Sequence, residues 1–210
     1  MKRIFYDIDQ NSPEWFELRK GLITASVFTK FWMGEKTSGY KEAIADVAFS
    51  RNGFEFDHFA GNNITDKGHE QEPLMRMQYE INTLTEVSNG GFFKYGEWCG
   101  ASPDACIGDD GLWENKAKVK SNTLLESLEH FDSGIKLTEK SNKAHFWQVY
   151  FQLYVTGRKW CDYQYGNIGL RPMIERIYMS EGMTKRIEEK LNMVIPEIEK
   201  AIILINKYKE

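Results

Sequence analysis

Ala101-Ser102-Pro103-Asp104 and, after a short interval, Gly111-Leu112-Trp113-Glu114-Asn115-Lys116 decide how this chain reads. Between them lies Gly108-Asp109-Asp110-Gly111, a turn sequence set between β-favouring residues, so the stretch reads as a hairpin. Asp109 is equidistant in sequence from Asp104 and Glu114. These two acids should therefore face each other, with Cβ atoms about 4.5–5.5 Å apart in a regular register. Strand alternation puts Lys116 on the face of Glu114. Like charges facing across a ladder are destabilising unless something positive sits between them. A divalent cation meets that need, and hard oxygen ligands suit Mg²⁺ or Mn²⁺. A surface hairpin with scattered charges accounts for the bare pattern equally well, because so short a motif often arises by chance.

Outward from the hairpin, the chain reads as one domain over residues 1–210, with no linker, repeat or low-complexity tract. Ser12-Pro13-Glu14 starts a helix that Gly21 stops. Further helices are expected at Thr24–Trp32, Lys41–Asn52 and Asn63–Glu80, the last weakened at Pro73. From Thr83, short runs of Val, Phe, Tyr and Trp between glycine turns predict a meander of strands. A helix follows at Lys143–Thr156, then strands at Trp160–Tyr165 and Met173–Tyr178. Ile187, Leu191, Val194, Ile198, Ile202 and Ile205 recur at helical spacing, with Pro196 expected to kink or split that helix. This order predicts an α/β or α+β architecture.

Composition narrows the class. With 41% hydrophobic and 28% charged residues the chain is globular, not disordered or collagen-like. No apolar run approaches the roughly 20 residues of a membrane span. The start, MKRIFYDIDQ, turns acidic before any apolar core, so no signal peptide is expected. Three cysteines (Cys99, Cys106, Cys161) without a CxxC predict a reducing, cytoplasmic setting and exclude a four-cysteine metal centre. The net charge is −4, yet Glu114–Trp160 holds eight basic and five acidic residues. Such a stripe suits a phosphate backbone, and equally a solvated charged face. His58, His69, His130 and His145 show no metal-ligand spacing and read as structural or surface groups.

Pro103-Asp104 with Glu114-Asn115-Lys116 resembles the core motif of the PD-(D/E)XK nuclease superfamily, and the flanks resemble the YqaJ-like viral recombinases within it. Trp15-Phe16-Glu17-Leu18-Arg19-Lys20-Gly21-Leu22-Ile23-Thr24-Ala25-Ser26 is similar to that family's N-terminal signature. Gly68-His69-Glu70-Gln71-Glu72-Pro73 resembles its Gly-xxx-Glu-Pro helix, and Ala101-Ser102-Pro103-Asp104 its Ser-Pro-Asp. Gln148-Val149-Tyr150-Phe151-Gln152-Leu153-Tyr154-Val155-Thr156-Gly157 is similar to its Gln-rich helix ending in Val-Thr-Gly. The five segments keep their order over roughly residues 13–157, and the C-terminal helix carries no motif.

The resemblance implies a restriction-endonuclease-like core, a mixed central sheet flanked by helices. It implies Glu72, Asp104 and Glu114 as carboxylate ligands of Mg²⁺ (or Mn²⁺), joined by the Asn115 carbonyl. Glu70 is set aside, since only Glu72 stands four residues after Gly68. Lys116 would hold or polarise the attacking water, with Gln148 orienting water or lysine and Gln152, one turn on, a weaker candidate. Arg19, Ser26 and Ser102 would form a pocket for a 5′ phosphate. The chain departs from the family where Ala117-Lys118 replaces the usual Cys-Pro, where Ala105 replaces Gly, and where Asn122 replaces a basic residue. Lys118 and Lys120 are then the nearest cations to complete the pocket.

The activity implied is a metal-dependent 5′→3′ exonuclease on double-stranded DNA ends, releasing 5′-mononucleotides and leaving 3′ single strands for recombination by annealing. A ring-shaped homotrimer, a single-strand annealing protein as partner, no membrane, and the cytoplasm of a host cell belong to the same expectation. A structure-specific or restriction-type endonuclease of the same fold is the alternative, distinguished by cleavage of closed circles. A catalytically inactive DNA-end-binding protein is another, opposed by the intact Asp104, Glu114 and Lys116.

Overall fold

Gly111–Ala117 forms strand β6, the middle of a five-stranded sheet. The computed structural model describes the backbone of residues 1–54 and 63–209, and side chains outside residues 63–70 within that range. The expected hairpin is present. β5 (Ala105–Ile107) pairs antiparallel with β6 in the register Ala105↔Trp113, Cys106↔Leu112 and Ile107↔Gly111. The reversal uses Gly108 at φ +48°, a left-handed conformation that glycine adopts without a Cβ penalty.

On its other side β6 runs parallel to β7 (Trp160–Gly166), which pairs antiparallel with β8 (Met173–Tyr178). A parallel pair needs a long crossover, and α5 (Ser121–Asp132) with α6 (Lys143–Thr156) supply it. With β2 (Ser88–Asn89) at the far edge, the sheet order is β2-β5-β6-β7-β8. A second sheet joins β1 (Arg3–Tyr6), β3 (Phe92–Tyr95) and β4 (Cys99–Ala101), all antiparallel. The mixed α/β class expected from the element order is the one observed.

Alternation along β6 sorts its side chains between two cores. Leu112 belongs to a large apolar cluster with α6, α2 (Ala25–Lys30), α3 (Ser38–Arg51) and α7 (Glu181–Asn206). Trp113 belongs to a smaller one with Met75 and Tyr79 of α4 (Asn63–Thr83) on the opposite face. Glu114 and Lys116 thus share the α6 face, and Asn115 the α4 face.

The first helix starts where its cap predicts, while the third, expected from Lys41, starts three residues earlier at Ser38. Ser12 accepts the Trp15 amide at 3.2 Å to open α1 (Pro13–Arg19), and Thr37 caps α3. Three expectations need correction. α5 lies where strands and turns were expected: the short run Leu124-Leu125…Leu128…Phe131 is compatible with either period. Pro73 interrupts nothing in the assignment of α4, which extends to Thr83. Pro196 does not split α7. Pro196 and Asn192, whose carbonyl loses its helical partner, are both exposed residues, while Ile187, Leu191, Val194 and Ile198 hold the inner face. All three cysteines are free and buried, and no described helix is long and apolar enough to cross a membrane.

Candidate active site

Asp104 stands just before β5, and the hairpin register extended by one pair sets it against Glu114, as the sequence spacing requires. The backbone amide of Asn115 donates to Asp104 Oδ2 at 2.7 Å. The Pro103–Asp104 turn is held from outside. Gln10 Nε2 donates to the Pro103 carbonyl at 3.0 Å, and Gly90 approaches so closely that a Cβ there would lie 1.8 Å from the same oxygen. Only glycine fits at position 90.

Glu114 is fully buried and its carboxylate is surrounded by donors. Lys116 Nζ at 2.5 Å and Gln148 Nε2 at 2.6 Å share Oε1, while Gln152 Nε2 reaches Oε2 at 2.8 Å. Both glutamines are on α6, four residues apart and hence on one face. Asn142 caps that helix by accepting the His145 amide at 3.0 Å, and Gly157 ends it at φ +75°. Gln152, ranked behind Gln148 from sequence, is therefore an equal partner of Glu114. Its Oε1 is buried without a hydrogen-bond partner among the described residues.

Charge in this cleft is unbalanced. Burial, and then the charge of Glu114, push the Asp104 carboxyl well above its ordinary range; Glu72 adds to this and Lys116 opposes it. Burial pulls the Lys116 ammonium down, but Glu114, Asp104 and Glu72 outweigh it and hold its pKa above an ordinary lysine's. Lys116 is thus a firmly protonated donor. Glu72 comes from α4 and is close enough to act on both Asp104 and Lys116. As the side chains stand, no three His, Cys, Asp or Glu among the described residues converge closely enough to hold a metal. The donor set nonetheless fits a hard divalent ion: oxygen-only ligands, three acids to one lysine, and a carboxyl whose charge the fold alone leaves uncompensated.

His145, read from the sequence as a structural or surface group, is a neighbour of the site. It stands three residues before Gln148 on α6, and its Nδ1 is 2.6 Å from the Tyr163 hydroxyl. Burial, then the charges of Lys116 and Lys118, lower its pKa to about 3, so it is neutral. The i, i+3 spacing to Gln148 was the available signal. His58, His69 and Glu70 lie outside the residues whose side chains are described.

Of the residues expected to hold a phosphate, Arg19 and Ser102 are linked through Trp15. The Arg19 guanidinium lies 3.9 Å from the Trp15 ring centroid; Trp15 Nε1 donates to Ser102 Oγ at 2.7 Å, and Ser102 donates to the Gly91 carbonyl at 2.7 Å. Burial lowers the Arg19 pKa to about 10, which leaves it charged at neutral pH. It makes no ion pair among the described residues. Ser26 Oγ is 3.3 Å from Thr24 Oγ1. β6 stops at Ala117, although the Lys118 amide still donates to the Gly166 carbonyl at 2.6 Å. Lys118 therefore stays beside Lys116 and is half-buried, whereas Lys120 is exposed at the cap of α5.

The fold is shared with known exonucleases. An alkaline exonuclease (LHK-Exo) from Laribacter hongkongensis superposes with a TM-score of 0.79 at 26% identity, covering 94% of this chain and 97% of its own. The same enzyme in complex with dAMP gives 0.79 at 27% identity, with the same coverage of 94% and 97%. A phage related exonuclease from Haemophilus somnus 129PT gives 0.67 at 14% identity, over 92% of this chain and 99% of its own, a likeness of fold. No curated protein sequence matches the chain. The family model of the YqaJ-like viral recombinase domain matches residues 14–159, more than two-thirds of the sequence and including Glu72, Asp104, Glu114, Asn115, Gln148 and Gln152, and the chain belongs to that family.

Proposed function

We propose that this protein is a Mg²⁺-dependent exonuclease that digests double-stranded DNA from its 5′ ends, releases 5′-mononucleotides and leaves 3′ single strands for annealing. The observation that carries the reading is the Asp104–Glu114 pair, presented by one hairpin beside Lys116 and braced by two α6 glutamines. Family membership and the exonuclease neighbours support DNA as substrate and hydrolysis from an end as reaction.

Glu72, Asp104, Glu114 and the Asn115 carbonyl are the groups to hold the metal, which would activate water and offset charge on the leaving 3′ oxygen. The chain's own residues do the positioning. Lys116, protonated and shared with Glu114, orients the attacking water against the scissile phosphate. Gln148 and Gln152 keep the Glu114 carboxylate from turning away. Arg19, stacked on Trp15, receives the terminal 5′ phosphate with Ser26, Ser102 and Lys118. A homotrimer encircling the duplex, a single-strand annealing partner and a cytoplasmic site of action complete the proposal.

Linear duplex labelled at one end tests it directly. Label at the 5′ end should appear at once as mononucleotide, and only with Mg²⁺. Release of 3′ label first would overturn the polarity, and cleavage of covalently closed circles would favour an endonuclease.

A further inference from the structure

The sheet face opposite Lys116 carries a buried charge that this chemistry does not use. Asp162 on β7 is 2% exposed. Its Oδ1 accepts Arg176 Nε at 2.7 Å; its Oδ2 accepts Arg176 Nη2 at 2.8 Å and the Tyr79 hydroxyl at 2.6 Å. The Arg176 guanidinium lies 3.8 Å over the Trp160 ring. Beside this trio, Trp113 Nε1 donates to Gln164 Oε1 at 3.0 Å, and Gln164 Nε2 donates to the Met75 carbonyl and to Gln78 Oε1, both at 3.3 Å. Met75, Gln78 and Tyr79 all belong to α4, so directional bonds from β7, with Gln164 held in turn by Trp113 of β6, tie that helix to the sheet.

Glu72 belongs to α4 too. Met75 and Tyr79 follow it by three and seven residues, which puts all three on one helix face, and the latter two are fully buried against the sheet. Glu72 acts electrostatically on Asp104 and Lys116, so that face leads into the acidic cleft. Pro73, next to Glu72, has no N–H to tie the helix at that point. Further along, Met75, Gln78 and Tyr79 bond the helix to the sheet. A buried ion pair is a poor route to stability alone, since apolar residues of the same volume serve as well, but its geometry is directional.

We propose that Asp162, clamped between Arg176 and Tyr79, is a positioning residue that fixes α4 against the sheet and so holds the Glu72 carboxylate at the metal site. The inference rests on the metal-dependent reading above and deepens it by assigning the second face of the sheet a role in metal affinity.

Tyr79→Phe removes one hydroxyl and keeps the ring packed near Trp113. Calorimetric titration of the full chain with Mn²⁺, without DNA, is the primary readout. The dissociation constant should rise about tenfold, at the low end for groups that orient metal ligands. The Mg²⁺ concentration for half-maximal digestion should rise in parallel, with kcat at saturating metal and KM for DNA within twofold of wild type. Arg176→Lys, which keeps the charge and loses the fork, should move Mn²⁺ affinity the same way. Ile198→Val, in the α3–α7 core, is the control for general loosening and should leave Mn²⁺ affinity unchanged. Arg176 is largely exposed, so Arg176→Lys decides the matter by itself should Tyr79→Phe not fold. Wild-type Mn²⁺ affinity in a folded Arg176→Lys or Tyr79→Phe protein would overturn the inference while leaving the nuclease reading intact. A wild-type protein that neither binds Mn²⁺ nor digests DNA would overturn both.

Discussion

Asp104 and Glu114 are both acids on one hairpin, yet the fold treats them differently. Glu114 has three donors on its two oxygens, while Asp104 has one backbone amide and the charge of its neighbours. A carboxyl raised above its unfolded value binds its proton more tightly in the folded state, so stability falls as pH rises from about the ordinary 3.8 through the raised value. Asp104→Asn removes that penalty. Without divalent metal its Tm should exceed that of wild type at neutral pH, by about 2–4 °C per 1 kcal/mol relieved, and the gap should close as the pH is lowered through the window. With Mg²⁺ the order should reverse, because only the wild type binds the ion and is stabilised by mass action. Calorimetric scans across pH, with and without Mg²⁺, check both halves; an unchanged gap would mean that Asp104 is not strained. Gln152→Leu belongs to the same scale. It takes a donor from a buried carboxylate, costing about 1–3 kcal/mol of stability, and should slow digestion roughly 10–100-fold. A digestion rate equal to wild type would remove Gln152 from the site.

At the scale of elements, where β6 ends decides which lysine is placed to serve the proposed phosphate pocket. The strand stops at Ala117, Lys118 keeps a backbone bond to β7, and Lys120 swings out to open α5. Lys118→Ala should therefore reduce the preference for 5′-phosphorylated over 5′-hydroxyl duplex ends, while Lys120→Ala leaves it nearly unchanged. Initial rates on the two ends give the ratio, and the reverse ranking would place the pocket elsewhere. Pro196 makes a second case. It stands exposed inside α7 and leaves the Asn192 carbonyl without its helical partner, so Pro196→Ala should restore one helix bond and stabilise by up to about 3 kcal/mol. Thermal unfolding would show it as a higher Tm with digestion unaltered; a lower one would mean that the proline sets a bend the core needs. These elements also show what sequence carries. The hairpin register was legible because a turn motif fixes it arithmetically, and the start of α1 because its Ser12-Pro13 cap is local. The extent of β6 and the existence of α5 were not, since Leu124, Leu125 and Leu128 satisfy a strand or a helix, and packing on β7 makes the choice. Gln152 was underrated for the same reason: its role depends on α6 docking over Glu114, a contact between residues 38 apart in sequence.

For the molecule as a whole, charge and activity have to be reconciled. The chain carries −4 overall, while Glu114–Trp160, which holds Glu114, Lys116 and α6, carries an excess of three positive charges. A single acidic particle approaching a polyanion is repelled except at that stripe, and any contact there is weakened by salt, because each phosphate neutralised releases a counterion. Processive digestion by one such subunit would fail at moderate ionic strength. A ring that turns its basic stripes inward and its acidic surfaces outward avoids this, because once the duplex is threaded, topology and not affinity keeps it bound. The expectation is a particle of three 24.5 kDa chains. Light scattering should show the trimer at working concentration, and digestion of a preloaded long duplex should continue in the presence of excess competitor ends at a salt concentration that abolishes fresh loading. Three digesting subunits on one duplex would also interfere, so mixed rings with two Asp104→Ala chains should keep digesting long DNA if one competent site suffices. A stable monomer with full activity, or immediate arrest on adding competitor, would show that electrostatic contact alone sustains the enzyme and that no ring encloses the DNA.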